Sequence, residues 1–169
     1  MSKPYKIPES VLVVIYSANL DVLLIERADK EGYWQSVTGS KDAQDEPLIE
    51  TAVREVFEET GIRIVDDAST LAPLANAVPL ANLRDWHLSN VYEIYPVWRH
   101  RYAPGVLNNT EHVFGLLVPR HSAITLAPRE HVDHLWLPYR EAADKCFSPS
   151  NAEAILQLPK YADTYRDLI

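Results

Sequence analysis

One apolar run most limits the folds open to this chain. The segment "VLVVIYS" (Val11–Ser17) is continuous and rich in β-branched residues. A run of this kind, without polar alternation, is typical of a strand that is buried on both faces. The following "NLD" at 19–21 predicts a turn, and "VLLIER" (Val22–Arg27) predicts a second strand. We therefore expect the two strands to form a hairpin.

The rest of the chain alternates between strand and helix patterns. Residues 66–90 contain two prolines and many small polar residues, so we predict a weak strand with a loop or surface insertion there. Further strands are predicted at Gly32–Ser40, Ile62–Val65, from Asn90 onward, at Glu111–Pro119 and at His131–Pro138, and helices at Tyr139–Cys146, Asn151–Leu158 and in the tail. This order indicates an α/β fold with one mixed sheet, helices packed against it, and a single domain over residues 1–169.

Charge and composition exclude some partners. The formal net charge of −8 argues against a nucleic-acid polymer, because phosphate backbones are met by basic surfaces. It leaves open a small anionic substrate whose charge is offset by metal ions and arginines. The single cysteine, Cys146, allows no disulfide within the chain and predicts a small core residue in a reducing compartment. No segment is long and apolar enough for a signal peptide or a membrane span, so we expect a cytoplasmic protein without a membrane partner.

A helix with three clustered glutamates lies between the first strands and Ile62–Val65. We expect it to start near Asp45 or Glu46, with Pro47 in the first turn, and to stop at Gly61. Its apolar stripe predicts buried positions at Leu48, Ile49, Ala52, Val53 and Val56. The acids fall on an adjacent stripe that we expect to be exposed: Glu55, Glu58 and Glu59.

Clustered carboxylates have two physical solutions. They can stay solvated and repel weakly, which is the usual state of a charged helix face. They can instead share a hard divalent cation such as Mg²⁺, which binds a few carboxylates and takes substrate phosphates as further ligands. The three glutamates alone do not choose between these alternatives.

The wider segment "GSKDAQDEPLIETAVREVFEETGI" favours the metal alternative, because it resembles the Nudix box. Eight residues match the box at its spacing: Glu46, Arg54, Glu55, Val56, Glu58, Glu59, Gly61 and Ile62. One distance departs from the box, because six residues rather than five separate Gly39 from Glu46. Either the loop has gained a residue, or Ser40 stands in the glycine position.

The resemblance implies a Nudix-type pyrophosphohydrolase with a mixed β-sheet sandwiched between α-helices (α/β/α). It implies that Glu55 and Glu59 are the principal metal ligands, with Glu58 as a further or water-mediated one. Glu46 and Arg54 would form a structural pair that orients the catalytic helix. Mg²⁺, or Mn²⁺ in its place, would neutralise phosphate charge and make the attacking water more acidic. A carboxylate from the helix or from a later loop would take the proton of that water.

Motifs outside the box resemble one Nudix subfamily, the bacterial dihydroneopterin triphosphate pyrophosphatases, which also hydrolyse dATP and other nucleoside triphosphates. These motifs are "WQSVTGS" (Trp34–Ser40), "RHRYAPGV" (Arg99–Val106), "NNTEH" (Asn108–His112) and "EHVDHLWL" (Glu130–Leu137). The resemblance implies that dihydroneopterin triphosphate is hydrolysed to the monophosphate and pyrophosphate, a step of folate synthesis. It also implies that Glu130 is a further metal ligand and that substrate is contacted by Lys6, Arg27, Thr38, Tyr92, Glu93, Ile94, Tyr95 and Ser148.

The basic run and the histidines of the chain have alternative interpretations. The basic run Arg99–Arg101 could guide a triphosphate, or it could be a loop anchored by salt bridges. The histidines His112, His131 and His134 lack the spacing of a zinc site on one element. Three functions remain open: the pterin triphosphate pyrophosphatase, a general nucleoside triphosphate pyrophosphohydrolase, and a Nudix-fold protein that binds a nucleotide without turnover.

Overall fold

The computed structural model describes residues 4–66, 76–120 and 122–162. Within these ranges the chain forms nine strands, four α-helices and two 3-10 turns. The strands are β1 (Glu9–Tyr16), β2 (Asp21–Arg27), β3 (Trp34–Gln35), β4 (Val37–Ser40), β5 (Arg63–Val65), β6 (Ala77–Pro79), β7 (Leu83–Glu93), β8 (Asn108–Leu117) and β9 (His131–Pro138). The helices are α1 (Leu48–Thr60), α2 (Tyr139–Lys145), α3 (Pro149–Leu156) and α4 (Leu158–Tyr161), and the 3-10 turns are Leu80–Asn82 and Pro96–Arg101.

The main sheet is mixed, as predicted. Its strand order is β3-β2-β1-β8-β7, with β4 also paired to β1 and β9 to β2. The β1–β8 pair is parallel from Glu9↔Thr110 to Tyr16↔Leu117, and the other pairs of this sheet are antiparallel. The expected β1–β2 hairpin is formed, although these strands pair only near their turn, at Tyr16↔Val22. Strands β5 and β6 form a separate parallel pair.

Helices cover both faces of the main sheet. On one face Val11 and Val13 of β1 pack in a core with Val56 of α1. On the other face Leu12 packs in a second core with Ile155 of α3. This arrangement buries β1 on both sides and confirms the predicted α/β/α sandwich.

Helix α1 begins later than its sequence pattern suggested. Pro47, not Asp45 or Glu46, is the N-cap residue, and no side chain caps the helix. A residue before proline is disfavoured in the helical conformation, which keeps Glu46 outside the helix. The predicted stop is confirmed, because Gly61 adopts the left-handed conformation with φ of 77°. Ile49 was wrongly expected in the core: it is 40% exposed, and Thr51 is buried instead.

The segment predicted as one strand at Gly32–Ser40 is interrupted at Ser36. Strand β3 pairs with β2 and strand β4 pairs with β1, so the chain changes partner between them. The amide of Asn151 fills the break: its Oδ1 accepts from the Ser36 backbone N–H at 2.8 Å, and its Nδ2 donates to the Ser36 hydroxyl at 2.9 Å. A buried side chain from α3 thus satisfies the backbone that the sheet leaves unpaired.

The expectation of an irregular region over 66–90 was wrong for its second half. Residues from Leu83 onward belong to the long strand β7, which pairs with β8. The pairing is irregular between Asp85 and Leu88, where His87 has a positive φ of 55°. This bulge breaks the period-two pattern by which the strand could have been predicted. Residues 67–75 of the same region lie outside the described residues.

Two further sequence predictions concern the C-terminal part. Cys146 is half-buried at the edge of the second core, next to α2. The predicted helix in the tail lies beyond residue 162 and so outside the described residues. In the part of the chain that is described, no helix has the length and apolar character needed to cross a bilayer.

Candidate active site

Arg54 connects the loop before α1 to the helix through ion pairs and hydrogen bonds. Its guanidinium lies 2.9 Å from Glu46 Oε1 and 2.8 Å from Glu55 Oε1. It also donates to the Ser40 carbonyl at 3.1 Å. The hydrogen bond from Arg54 lowers the pKa of Glu46 to about 2, so this carboxylate stays ionised. The Glu46–Arg54 pair expected from the sequence is present in the structure.

Gly39 provides the space for Glu55. A Cβ atom at Gly39 would lie 1.9 Å from the Glu55 carboxyl carbon, which no side chain could tolerate without a shift of Glu55. Gly39 therefore meets the need for a glycine at this point of the loop, and the alternative that Ser40 replaces it is not needed. With Gly39 in the glycine position, the loop between Gly39 and Glu46 has gained one residue. Burial raises the pKa of Glu55 to about 7.

Glu59 belongs to a group of possible metal ligands at the far end of α1. Ligand atoms of Glu59, Glu130 and His131 all lie within 4.8 Å of one another. His131 Nε2 is 3.5 Å from Glu59 Oε1, while Glu59 Oε2 and His131 Nδ1 are buried without a partner among the described residues. Burial lowers the pKa of His131 to about 4, so its imidazole is neutral and can donate a lone pair. Two carboxylates and a neutral imidazole fit a divalent cation.

The three glutamates of α1 differ in exposure, which corrects the expectation of one exposed stripe. The Glu58 side chain is 53% exposed, whereas that of Glu55 is 13% and that of Glu59 only 4% exposed. Glu59 is buried because His131 of β9 and the Thr38 backbone of β4 pack against it. Burial raises the pKa of Glu59, and the neighbouring Glu55 charge raises it further.

A cavity of about 350 Å³ opens on the opposite face of the sheet from α1. Four aromatic side chains line it beside several polar ones, and the rings of Tyr95 and Trp98 make an edge-to-face contact at 5.3 Å. Polar side chains at the cavity include Arg27, Thr38, Glu93, Glu111 and Ser148. The size lies in the range of small-molecule sites, which are about 300–1,000 Å³.

Strand β4 connects the acidic group to this cavity. The Thr38 side chain lines the cavity, and its backbone hydrogen-bonds to Glu59. The next residue, Gly39, faces Glu55. Because successive strand residues point to opposite faces, one residue step leads from the cavity to the carboxylates.

Comparison with known proteins agrees with this arrangement. The NUDIX domain family matches residues 6–158. This match spans most of the chain and establishes its family.

The chain belongs to the Nudix family.

Individual relatives share nearly the full length. Dihydroneopterin triphosphate diphosphatase of Escherichia coli K12 is 40% identical over 156 residues, covering 92% of this chain and 94% of that protein. The diphosphatase of the same name from Haemophilus influenzae is 35% identical over 152 residues, covering 89% and 87%. The solved structure of the E. coli dihydroneopterin triphosphate pyrophosphohydrolase is 39% identical, with a TM-score of 0.77, and covers 95% of this chain and 100% of that chain.

Most of the substrate contacts expected from the Nudix subfamily resemblance lie together at the cavity. Those that line it are Arg27, Thr38, Tyr92, Glu93, Tyr95 and Ser148. Ile94 is 2% exposed and does not line it. Lys6 lies beside the acids instead, and burial lowers its pKa, with Arg101 lowering it further. The negative charges of Glu55 and Glu130 act in the opposite direction and raise the pKa of Lys6.

The basic run Arg99–Arg101 lies in the 3-10 turn at the cavity rim. Arg99 is paired with Glu93 and donates to the Ile94 carbonyl at 3.1 Å. These contacts favour the anchored-loop alternative for Arg99. Arg101 lies with its guanidinium 6.0 Å from the Trp98 ring, and its carbonyl accepts the Lys6 backbone N–H at 2.8 Å.

Two residues of this Nudix site were not predicted from the sequence. His131 was considered only as part of a zinc pattern, although it directly follows Glu130 and the two enter the same ligand group. Glu111 was read as an ordinary residue of a strand, yet it is buried in the cavity wall. The signal that could have identified it is its position two residues before Val113, because alternate residues of a strand share a face and Val113 belongs to the apolar part of the strand.

Proposed function

We propose that this Nudix hydrolase converts dihydroneopterin triphosphate and water to dihydroneopterin monophosphate and pyrophosphate. One observation carries the proposal: the carboxylates of α1 and the aromatic cavity adjoin across a single residue step, Thr38 to Gly39. A flat ring held in the cavity would direct its phosphate chain towards those carboxylates. The names of the relatives, which match over nearly the whole chain, support the same substrate.

The acidic group would hold the metal. Glu55, Glu59 and Glu130 are the proposed ligands, with His131 completing the group and Glu58 as an outer or water-mediated ligand. Mg²⁺ is the proposed ion, with Mn²⁺ as a substitute, and it would neutralise phosphate charge and make the attacking water more acidic. A carboxylate of α1 or of the later loop that is not bound to the ion, such as the exposed Glu58, would take the proton of that water.

The remaining residues bind and orient the substrate. Lys6 and Arg27 would meet the phosphates, and their charges act on each other in the free protein. A triphosphate between them would relieve this repulsion. Tyr92 and Tyr95 would flank the ring, and Glu93 and Ser148 would line the cavity around it. The buried Ile94 would support the wall between Glu93 and Tyr95.

Arg54 and Glu46 act through the acids rather than on the substrate. Arg54 forms an ion pair with Glu55 and donates a hydrogen bond to the Ser40 carbonyl, and these contacts orient the Glu55 carboxylate. This positioning keeps the proposed ligands in place when no cation is bound. The proposal includes a cytoplasmic location and one domain over residues 1–169.

The test compares kcat/KM for dihydroneopterin triphosphate and for dATP in Mg²⁺, with the products identified by ³¹P NMR. We expect the pterin compound to be preferred. Pyrophosphate should be the second product, because water is proposed to cleave the α–β phosphoanhydride. A large preference for dATP would instead support the general nucleoside triphosphate pyrophosphohydrolase. No turnover of either compound would support the nucleotide-binding alternative.

A further inference from the structure

Glu111 is a carboxyl group that the fold buries without giving it a partner. It lies on β8, it is 5% exposed, and its Oε1 accepts no hydrogen bond from the described residues. Burial raises the pKa of Glu111 to about 7. Unpaired polar groups inside proteins are uncommon and unfavourable, so a ligand that brings N–H donors would find a ready acceptor here.

The neighbouring amide on the same strand does not serve as that donor. Asn109 lies two residues before Glu111 and therefore on the same face of β8. Its Nδ2 already donates to the Ser10 hydroxyl at 2.7 Å and to the Tyr92 hydroxyl oxygen at 3.1 Å. Both N–H groups of the amide are used, and the Glu111 carboxyl is left facing the cavity.

The cavity around Glu111 suits a flat ring. Leu12, Trp98 and Phe147 line it, and Phe147 is held by stacking on Tyr33 with ring centroids 4.7 Å apart. A ring that lies against these three apolar side chains can reach the polar side chains of the cavity only through its edge. The hydrogen-bonding pattern of that edge then decides which rings are accepted.

We propose that Glu111 is the specificity-determining residue of this cavity and binds the 2-amino-4-oxopyrimidine edge shared by pterins and guanine. That edge places a ring N–H next to an exocyclic amino group, and a carboxylate can accept from both at once. Adenine offers an amino group next to a ring nitrogen that is itself an acceptor, so a carboxylate can satisfy only half of it. This inference rests on the proposed function for its substrate, but the recognition it describes can be measured separately.

The decisive experiment removes one donor from the substrate and one acceptor from the protein. Substrates dGTP and dITP differ only in the 2-amino group, which dITP lacks. For the unchanged protein we expect kcat/KM to favour dGTP by about tenfold, in line with a good bidentate contact. In Glu111→Gln the amide presents one donor where the carboxylate had acceptors, so the preference for dGTP should disappear.

Two controls separate recognition from general damage. The kcat/KM for dATP should not fall in Glu111→Gln, because an amide matches the adenine edge. Glu141→Gln, an exposed position on α2, should leave the dGTP preference unchanged. If the first variant does not fold, Glu111→Asp retains the carboxylate and should still prefer dGTP over dITP.

The outcomes are distinct from those of the proposed function. Retention of the dGTP preference in Glu111→Gln, or an equal loss of activity on dGTP, dITP and dATP, would overturn the inference. A protein that ignores dihydroneopterin triphosphate but loses its dGTP preference in Glu111→Gln would overturn the proposed substrate and leave the recognition role of Glu111 intact.

Discussion

Glu59 and Glu111 are buried carboxyl groups near opposite faces of the same sheet, and burial raises the pKa of each. Glu59 lies among other possible ligands, with Glu130 and His131 close by. Glu111 lines the cavity beside Tyr92, Trp98 and Phe147, and its Oε1 has no hydrogen-bond partner among the described residues. A buried carboxylate needs a positive or hydrogen-bonding partner, and these surroundings differ in which partner they admit. The first admits a cation, and the second admits the edge of a ring.

The largest expected effect tests Glu59 as a ligand of the cation. Glu59→Gln should lower kcat/KM by roughly 100- to 1,000-fold, because an amide is a poor ligand for a hard cation at a site of transition-state charge. The loss should be equal for all triphosphates, and Mg²⁺ should bind more weakly by titration. Glu50→Gln, an exposed acid in the first turn of α1, is the matched control. A loss that depended on the ring would contradict the division between the two carboxyl groups.

The next effect tests Glu111, the carboxyl group of the cavity, through the free energy of unfolding measured in EDTA. The pKa of Glu111 is about 7 in the folded protein and 4.5 in an ordinary glutamate. The folded state therefore binds more protons between these values, and the free energy of unfolding falls as pH rises through this window. Glu111→Gln lacks this titration and should gain about 3 kcal/mol relative to the unchanged protein across the window.

Denaturant unfolding at several pH values measures this difference. Tyr92, whose charge would act on Glu111, stays neutral in the window because burial raises its pKa. A constant difference between the two proteins at all pH values would mean that Glu111 has a partner in solution.

A smaller effect tests whether Gly39 provides the space that the Glu55 carboxyl needs. Gly39→Ala places a methyl group against the Glu55 carboxyl and should lower kcat by about tenfold, because displaced catalytic groups lose much of their effect. The change should act through Glu55 alone. Adding Gly39→Ala to Glu55→Gln should therefore cause little further loss, and fully additive losses would point to a separate role for the glycine.

The smallest effect concerns the rim of the cavity. Arg99→Gln breaks an exposed pair with Glu93 and should change the free energy of unfolding by less than about 1 kcal/mol. Because Arg99 is engaged in anchoring the turn, kcat/KM should stay within about threefold. If Arg99 guides the triphosphate instead, kcat/KM would fall, and the fall would be greater at low ionic strength.

Features set by local sequence were predictable. The apolar run of β1 indicated a doubly buried strand, and both of its faces are covered. The resemblance to the Nudix box implied that Glu46 and Arg54 form the pair that orients α1, and that pair is formed. In these cases neighbours along the chain determine the structure, so a pattern of one segment is sufficient.

Features set by distant contacts were not predictable in the same way. The bulge at His87 hid the long strand β7, since its pairing depends on β8. Glu59 is buried by β4 and β9, neither of which the helix pattern contains. The exposed stripe predicted for α1 failed for this reason. The partnerless state of Glu111 likewise depends on side chains that already bond to each other.

The amide of Asn151 in the break at Ser36 has a consequence for the order in which the site is made. The ribosome completes α1 at Thr60, which is 91 positions before Asn151. Until α3 emerges, the backbone N–H of Ser36 has no amide to bond, and the cavity lacks the wall to which Ser148 and Asn151 belong. The three glutamates of α1 are therefore synthesised well before the residues of α3 that complete the cavity.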